Sequence, residues 1–177
     1  MKKKFHYLLM IILVCLAYGN TIQNSFHFDD IPSILEKPWI RGLDKIPDFI
    51  FSFTQRPLVI LSFNINYAIS EFEVWSYHIV NIILHLIAVF MVYRLGELIL
   101  SHMAQSDPKI THILNKMPLL AASIFALHPL NTQAVTYISS RSSTMAAIFY
   151  LATALLFFSR FNGKTGERIK HKYIYVF

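Results

Sequence analysis

The sequence predicts an all-α membrane protein with about four transmembrane helices and further helices at the membrane surface. Of its 177 residues, 55% are hydrophobic and 15% are charged, whereas about 25% of the residues in a soluble domain are charged. The apolar residues form long runs, as membrane-spanning helices require. Most basic residues behind the net charge of +6 lie at the ends of these runs. Such basic residues orient a protein in the membrane, so we expect no nucleic-acid partner.

The apolar runs define one predicted membrane domain over residues 1–177. Its predicted spans lie near residues 5–22, 77–100, 113–129 and 145–161, and a further run starts at residue 173. A secretory signal peptide is the alternative interpretation of the first run. The limits of the third span stay open, because His128-Pro129 interrupts it. Since the last run begins where the sequence stops, we expect the chain to be a fragment.

Two segments between the first and second spans are predicted to lie on the membrane surface. Residues 23–56 are rich in helix-breaking proline, and Trp39 and the cluster Phe49, Phe51 and Phe53 suit the membrane–water interface. Residues 56–71 are apolar but short, and acidic residues follow them, so we predict an interfacial helix there.

Lysine and arginine are concentrated in the N-terminal tail, the 101–116 connector, which contains Asp107-Pro108, and the C-terminal tail. Because positively charged short segments stay in the cytoplasm, these three segments are predicted to be cytoplasmic. The loop after the first span and the loop at 128–141 would then share the outer face.

Two adjacent carboxylates, Asp29 and Asp30, stand just after the first predicted span. Carboxylates at a membrane surface can accept a proton from an incoming hydroxyl group or hold a cation. The alternative is structural, because Asp followed by proline is also common where helices begin. The single cysteine, Cys15, excludes an intramolecular disulfide and a cysteine metal site.

Three polar residues, His78, Asn81 and His85, share one face of the second predicted span. Polar groups at this depth face a cavity or bond neighbouring helices, and the sequence leaves both interpretations open. A set of outer-face residues is predicted to converge: Asp29, Asp30, Arg56, His78, His128 and Arg141. Carboxylates beside arginines suit an anionic lipid-linked substrate, since arginine binds phosphate.

Four segments together resemble a known family. They are Phe28-Asp29-Asp30-Ile31-Pro32; Arg56-Pro57-Leu58 with Asn66-Tyr67; Tyr77-His78 with Asn81 and His85; and Phe125-Ala126-Leu127-His128-Pro129 with Thr132-Gln133-Ala134-Val135-Thr136-Tyr137-Ile138 and Arg141. Nearly the whole chain resembles the N-terminal membrane part of the transmembrane and tetratricopeptide repeat-containing proteins, especially their bacterial branch. That family is similar to C-type glycosyltransferases such as protein O-mannosyltransferases.

The resemblance implies a membrane glycosyltransferase that moves a mannose-like sugar from a polyprenyl-phosphate donor to a protein or other hydroxyl acceptor. It implies that Asp29 and Asp30 are catalytic. From the chemistry of the two carboxylates, a divalent cation held by Asp29 and Asp30 is a candidate cofactor. From the arginine chemistry we expect Arg56 and Arg141, with His78 and His128, to bind substrate. The implied location is a bacterial inner membrane with a periplasmic active face, or the endoplasmic reticulum membrane in a eukaryote. The chain departs from the animal pattern at Gln133 and Ser143, where animal members often carry acids.

Two other classes of function are also consistent with the sequence. One is a non-catalytic membrane segment or scaffold. The other is a transporter that uses His78, Asn81 and His85 as a polar pathway, although the sequence lacks the paired repeat halves typical of transporters.

Overall fold

The computed structural model describes residues 2–41, 56–106 and 114–161, and these residues form helices joined by turns. The α-helices are α1 (Lys2–Tyr18), α2 (Pro57–Ser70), α3 (Val74–Ser106), α4 (Met117–Leu127), α5 (Asn131–Thr136) and α6 (Arg141–Phe161). Short 3₁₀ turns occupy Gly19–Thr21, Pro38–Ile40 and Ile138–Ser140, and a single π-helical turn occupies Ile31–Leu35. The predicted interfacial cluster at Phe49, Phe51 and Phe53, the Asp107-Pro108 turn and the apolar run at residue 173 lie outside the described residues.

Three helical segments of the described chain are long and apolar enough to cross a membrane. They are Lys3–Thr21, Val74–Met103 and Ile138–Arg160. The predicted all-α membrane class is therefore confirmed. The segment predicted at residues 56–71 is the 14-residue helix α2, which is too short for a full span.

The third predicted span, at residues 113–129, is a shorter helix than the sequence suggested. Helix α4 has 11 residues and covers roughly 16 Å at 1.5 Å per residue. It ends at His128, whose backbone is extended (φ −65°, ψ 128°), because a residue before proline avoids the helical conformation. The chain continues as the six-residue helix α5, so this part of the bundle is a broken helix.

The main core lies where α1, α3, α4 and α5 pack together. Its buried side chains are Met10, Val14, Tyr18, Val89, Tyr93, Ala122, Ala126 and Val135. The alanines of α4 allow close helix approach, as small residues do in membrane bundles. Gly96 of α3 serves the same purpose, since a Cβ atom there would lie 3.0 Å from the Cα atom of Pro118.

A second core fixes the loop that follows α1. Ile34 and Ile40 from its short turns pack with Phe63 of α2, Tyr77 of α3 and Ile138. This packing holds the acidic pair close to the first turn of α6.

The two ends of α3 carry different chemistry. His78 and Glu97 are 19 positions apart in this helix, which corresponds to roughly 28 Å. That distance is close to the thickness of a hydrocarbon core, about 30 Å. Polar groups near His78 and near Glu97 therefore suit opposite membrane surfaces.

Candidate functional site

A cavity of about 590 Å³ opens beside the acidic pair, where the loop after α1 meets α2 and the start of α6. It is lined by Asp29, Pro32, Ser33, Lys37, Trp39, Arg56, Val59, Ile60, Phe63, Tyr137, Ser139, Ser140, Ser142 and Ser143. Among the predicted site residues, Asp29 and Arg56 line this cavity. The others lie beneath its wall or elsewhere.

The carboxylate of Asp29 is exposed in the cavity, and its backbone is held in place. Its N–H donates a hydrogen bond to the phenol oxygen of Tyr137 at 2.8 Å. The preceding residue, Phe28, has φ 47° and an 85% exposed side chain, a conformation that is uncommon for a bulky residue. Partial burial raises the pKa of the Tyr137 phenol, and the nearby Asp29 and Asp30 carboxylates act in the same direction, so the phenol remains neutral at physiological pH.

The adjacent carboxylate, Asp30, is almost completely buried, with 1% of its surface exposed. Its Oδ1 accepts hydrogen bonds from the backbone N–H of Ser139 at 2.7 Å and from the Ser139 hydroxyl at 2.6 Å. Its Oδ2 accepts the backbone N–H of His27 at 3.1 Å. It makes no capping hydrogen bond to the following turn. Asp30 therefore joins the loop after α1 to the turn before α6.

Two basic side chains share the cavity with Asp29. Arg56 is exposed at the start of α2, and one of its nitrogens donates to the Ser142 hydroxyl at 3.3 Å. Lys37 is half-buried, with its ammonium 5.0 Å from the centre of the Trp39 ring. One carboxylate beside two cations gives the cavity a positive balance, which favours an anionic ligand.

Arg141 is fully buried under the cavity wall, with none of its surface exposed. It donates four hydrogen bonds to neutral acceptors: the Asn81 side-chain oxygen (2.8 Å), the Ser62 hydroxyl (2.9 Å), the Asn66 side-chain oxygen (2.7 Å) and the Tyr77 carbonyl (3.0 Å). Its guanidinium also lies 4.4 Å from the centre of the Phe63 ring. Since four of its five N–H donors are engaged, Arg141 joins α2, α3 and α6, and its predicted contact with a phosphate stays a prediction.

The polar face of α3 contacts protein. Nε2 of His78 lies 2.9 Å from the Asn24 carbonyl, and the Asn81 amide donates to the Val135 carbonyl at 3.2 Å. Nε2 of His85 lies 3.2 Å from the Ala126 carbonyl. All three side chains are buried. These contacts favour the helix-bonding interpretation over a polar pathway, although Nδ1 of His78 has no hydrogen-bond partner among the described residues.

His128 lies outside the cavity. It is exposed at the end of α4, and its Nδ1 accepts the backbone N–H of Leu130 at 3.3 Å. A separate surface pocket, lined by Ser123, Ile124, Leu127, His128 and Pro129, contains it. The structure thus brings Asp29 and Arg56 together and leaves His128 apart from them.

The donor atoms near Asp29 do not by themselves build a metal site. No group of three or more His, Cys, Asp or Glu side chains capable of holding a metal occurs among the described residues. Both carboxylate oxygens of Asp30 are occupied by protein hydrogen bonds. Asp29 alone remains available, and Ca²⁺ and Mg²⁺ require several oxygen ligands. The predicted divalent cation stays a prediction.

An apolar groove continues from the cavity along α6. A second pocket of about 480 Å³ shares Arg56, Val59, Ser142 and Ser143 with the cavity and extends to Ala146 and Phe149. A third pocket, about 660 Å³, shares Ala146 and Phe149 and extends to Phe157 and Phe158. The polar cavity is therefore connected to an apolar surface on a predicted membrane span.

The sequence of the chain is similar to those of several named proteins. It is 30% identical over 165 residues to Protein O-mannosyl-transferase F38B6.6 of Caenorhabditis elegans, covering 84% of this chain and 22% of that protein. It is 29% identical over 168 residues to Protein O-mannosyl-transferase TMTC3 of Homo sapiens, covering 88% and 17%, and 30% identical over 184 residues to Tmtc3 of Drosophila melanogaster, covering 90% and 20%.

These relatives are all named protein O-mannosyl-transferases. The chain spans about one fifth of the length of these mannosyl-transferases. No family model matches the chain, and no solved structure matches it significantly. The similarity supports the resemblance drawn from the four sequence segments.

Three cavity features were not predicted from the sequence. Lys37 belongs to no motif in the sequence, Tyr137 belongs to a motif without a role of its own, and Ser143 is the one serine beside Arg141 noted there, as a departure from the animal pattern. A polar run, Ser139-Ser140-Arg141-Ser142-Ser143, directly before an apolar span is the signal that identifies this region. Of the two departures from the animal pattern, Ser143 lines the cavity, whereas Gln133 is exposed on α5 and is absent from its lining.

Proposed function

We propose that this chain is the N-terminal membrane part of a glycosyltransferase of the protein O-mannosyl-transferase family, with its sugar-transfer site in the cavity at Asp29. The observation that carries this proposal is the joining of one exposed carboxylate, two cations and an apolar groove in a continuous surface. A lipid-linked sugar phosphate carries complementary groups in a matching order: a polar sugar, an anionic phosphate and an apolar chain.

The donor in this proposal is a polyprenyl-phosphate sugar. Arg56 and Lys37 would bind its phosphate, because basic side chains form charge-assisted hydrogen bonds with phosphate oxygens. The polyprenyl chain would lie in the groove along α6, against apolar side chains such as Ala146 and Phe149. The sugar would then occupy the polar end of the cavity, near Asp29 and the serine hydroxyls.

Asp29 would act as the general base. Its carboxylate would take the proton of the acceptor hydroxyl while the acceptor oxygen forms a bond to the anomeric carbon. The bond from that carbon to the phosphate oxygen breaks, and the polyprenyl phosphate leaves with the electron pair. Arg56 and Lys37 would stabilise the negative charge on the leaving phosphate. A base must come within about 2.6–3.2 Å of the proton-bearing oxygen, and the exposed position of Asp29 allows this approach.

Asp30 would position Asp29, since its own oxygens are bound to Ser139 and His27. We propose a protein hydroxyl as the acceptor, in agreement with the names of the relatives. Gln133 favours the bacterial branch, and with it an inner membrane whose periplasmic face carries the cavity. The transferred sugar in this proposal is mannose-like.

The proposal is tested by measuring sugar transfer from a polyprenyl-phosphate donor. The membranes should contain the protein expressed from the longest reading frame that includes this segment. Asp29→Asn keeps the size of the side chain and removes its charge, so turnover should fall by roughly 10²–10⁴-fold at an unchanged protein level. Glu36→Gln is a matched control, because Glu36 is exposed in the same loop and does not line the cavity. Full activity of Asp29→Asn would favour a non-catalytic role for the acidic pair.

A further inference from the structure

We propose that a separate cavity, at the opposite end of the bundle, binds the phosphate-bearing headgroup of an anionic membrane lipid. This cavity has a volume of about 480 Å³ and lies between the start of α1, the later part of α3 and the start of α4. Lys3, Arg94 and Glu97 provide its charged lining. It shares no residue with the sugar-transfer cavity and does not depend on the function proposed there.

The cationic side chains of this cavity are held in place and still accessible. Lys3 forms an ion pair with Glu97 at 2.9 Å, and Arg94 forms a second ion pair with the same carboxylate. The Lys3 side chain is 67% exposed and the Arg94 side chain is 47% exposed, whereas the Glu97 side chain is 19% exposed. The single carboxylate therefore orients two cations without covering them, and the cluster keeps one net positive charge.

A chain of hydrogen bonds fixes Glu97 from the protein side. The Tyr93 hydroxyl donates to Glu97 Oε1 at 3.2 Å, and Nδ1 of His6 lies 2.8 Å from the same hydroxyl oxygen. With its hydrogen directed at Glu97, the hydroxyl accepts from His6, so Nδ1 of His6 carries the proton. The carboxylate is thus satisfied from within, and the outer sides of Lys3 and Arg94 face the cavity.

The position of the cavity favours a lipid over a soluble anion. Glu97 lies roughly 28 Å along α3 from His78, about one hydrocarbon thickness from the other polar end. The wall also includes the apolar side chains of Leu98, Leu100 and Pro118. Basic pockets between membrane helices at the cytoplasmic surface are typical sites for anionic lipid headgroups, and the lysine and arginine distribution predicts this end to be cytoplasmic.

Binding of short-chain lipids to the purified full chain in detergent, followed by native mass spectrometry, tests the inference. Dioctanoyl phosphatidylglycerol should bind more tightly than dioctanoyl phosphatidylcholine. Each cation removed should weaken phosphatidylglycerol binding by about fivefold, so the double variant Lys3→Gln with Arg94→Gln should lose most of the preference. The matched control is Lys4→Gln with Arg160→Gln, which removes one lysine and one arginine that are exposed outside the cavity.

Glu97→Gln provides a second measurement that does not remove a cation. Both cations remain and a negative charge beside the headgroup is lost, so the preference for phosphatidylglycerol over phosphatidylcholine should persist in this variant. Equal binding of the two lipids, or an equal loss in the control double variant, would overturn the inference. Displacement of the lipid by inorganic phosphate in the millimolar range would also overturn it, because the cavity would then be a site for soluble phosphate.

Discussion

The carboxylate of Asp30 accepts hydrogen bonds from both the backbone N–H and the hydroxyl of Ser139, 109 positions further along the chain. This contact ties the loop after α1 to the turn before α6. It leaves Asp29, the neighbouring carboxylate, as the member of the pair that faces the cavity. The two acids are adjacent in sequence and differ in role.

Asp30→Asn should destabilise the chain. An amide nitrogen cannot accept the hydrogen bonds that one carboxylate oxygen now accepts, and a buried donor left unsatisfied costs about 1–3 kcal/mol. Ser139→Ala removes one hydroxyl and keeps the backbone bond, so its cost should be near 1 kcal/mol. Thermal unfolding in detergent measures both. Asp29→Asn is the control and should leave the unfolding temperature unchanged; an equal loss from Asp29→Asn would contradict the division of roles.

Arg141→Lys should destabilise the chain although the substitution keeps the positive charge. Lysine cannot reproduce the four directed hydrogen bonds of the guanidinium group. At least two buried acceptors would lose their donor, at about 1–3 kcal/mol each. Arg56→Lys, at an exposed arginine, is the matched control for stability. If Arg141→Lys unfolds at the same temperature as the unmodified chain, the buried arginine does not join the helices.

Arg56→Gln and Lys37→Gln should each weaken binding of the lipid-linked donor and leave the protein folded. A hydrogen bond to a charged group contributes about 1.5–3 kcal/mol, so KM for the donor should rise by roughly tenfold or more. Arg41→Gln removes a nearby exposed arginine that is outside the cavity lining and serves as the control. A rise in KM for the control as large as for Arg56→Gln would indicate a general effect of surface charge.

Gly96→Ala should destabilise the bundle, even though alanine stabilises a helix by about 1 kcal/mol relative to glycine. The added methyl group would lie 3.0 Å from the Cα atom of Pro118, which belongs to the backbone of the facing helix, so α3 and α4 would have to separate. Gly19→Ala is the control, since no atom lies within 4 Å of its added Cβ atom. Unfolding temperatures of the two variants test this; a more stable Gly96→Ala would show that α4 adjusts at little cost.

The limits of the third span depend on contacts that the sequence does not show. The run Met117–Leu127 and the proline at 129 are visible in the sequence, and they left the boundary of the span open. In the structure, side chains of neighbouring helices contact the end of this short helix. The Tyr18 hydroxyl donates a hydrogen bond to the Ala126 carbonyl at 3.2 Å, and His85 contacts the same carbonyl. Side chains from α1 and α3 thus contact one of the carbonyl groups that a broken helix leaves without a partner.

By itself, the sequence determined the membrane class and the principal helices, because long apolar runs can be satisfied only by helices inside a bilayer. It also predicted Asp29 and Arg56 as site residues, and both line the same cavity. Only the tertiary structure decided which polar groups are accessible. Asp29 and Asp30 have the same side chain, as do Arg56 and Arg141. In each pair the first residue is exposed and the second is buried. Burial depends on contacts between residues up to 109 positions apart, and local sequence does not encode such contacts.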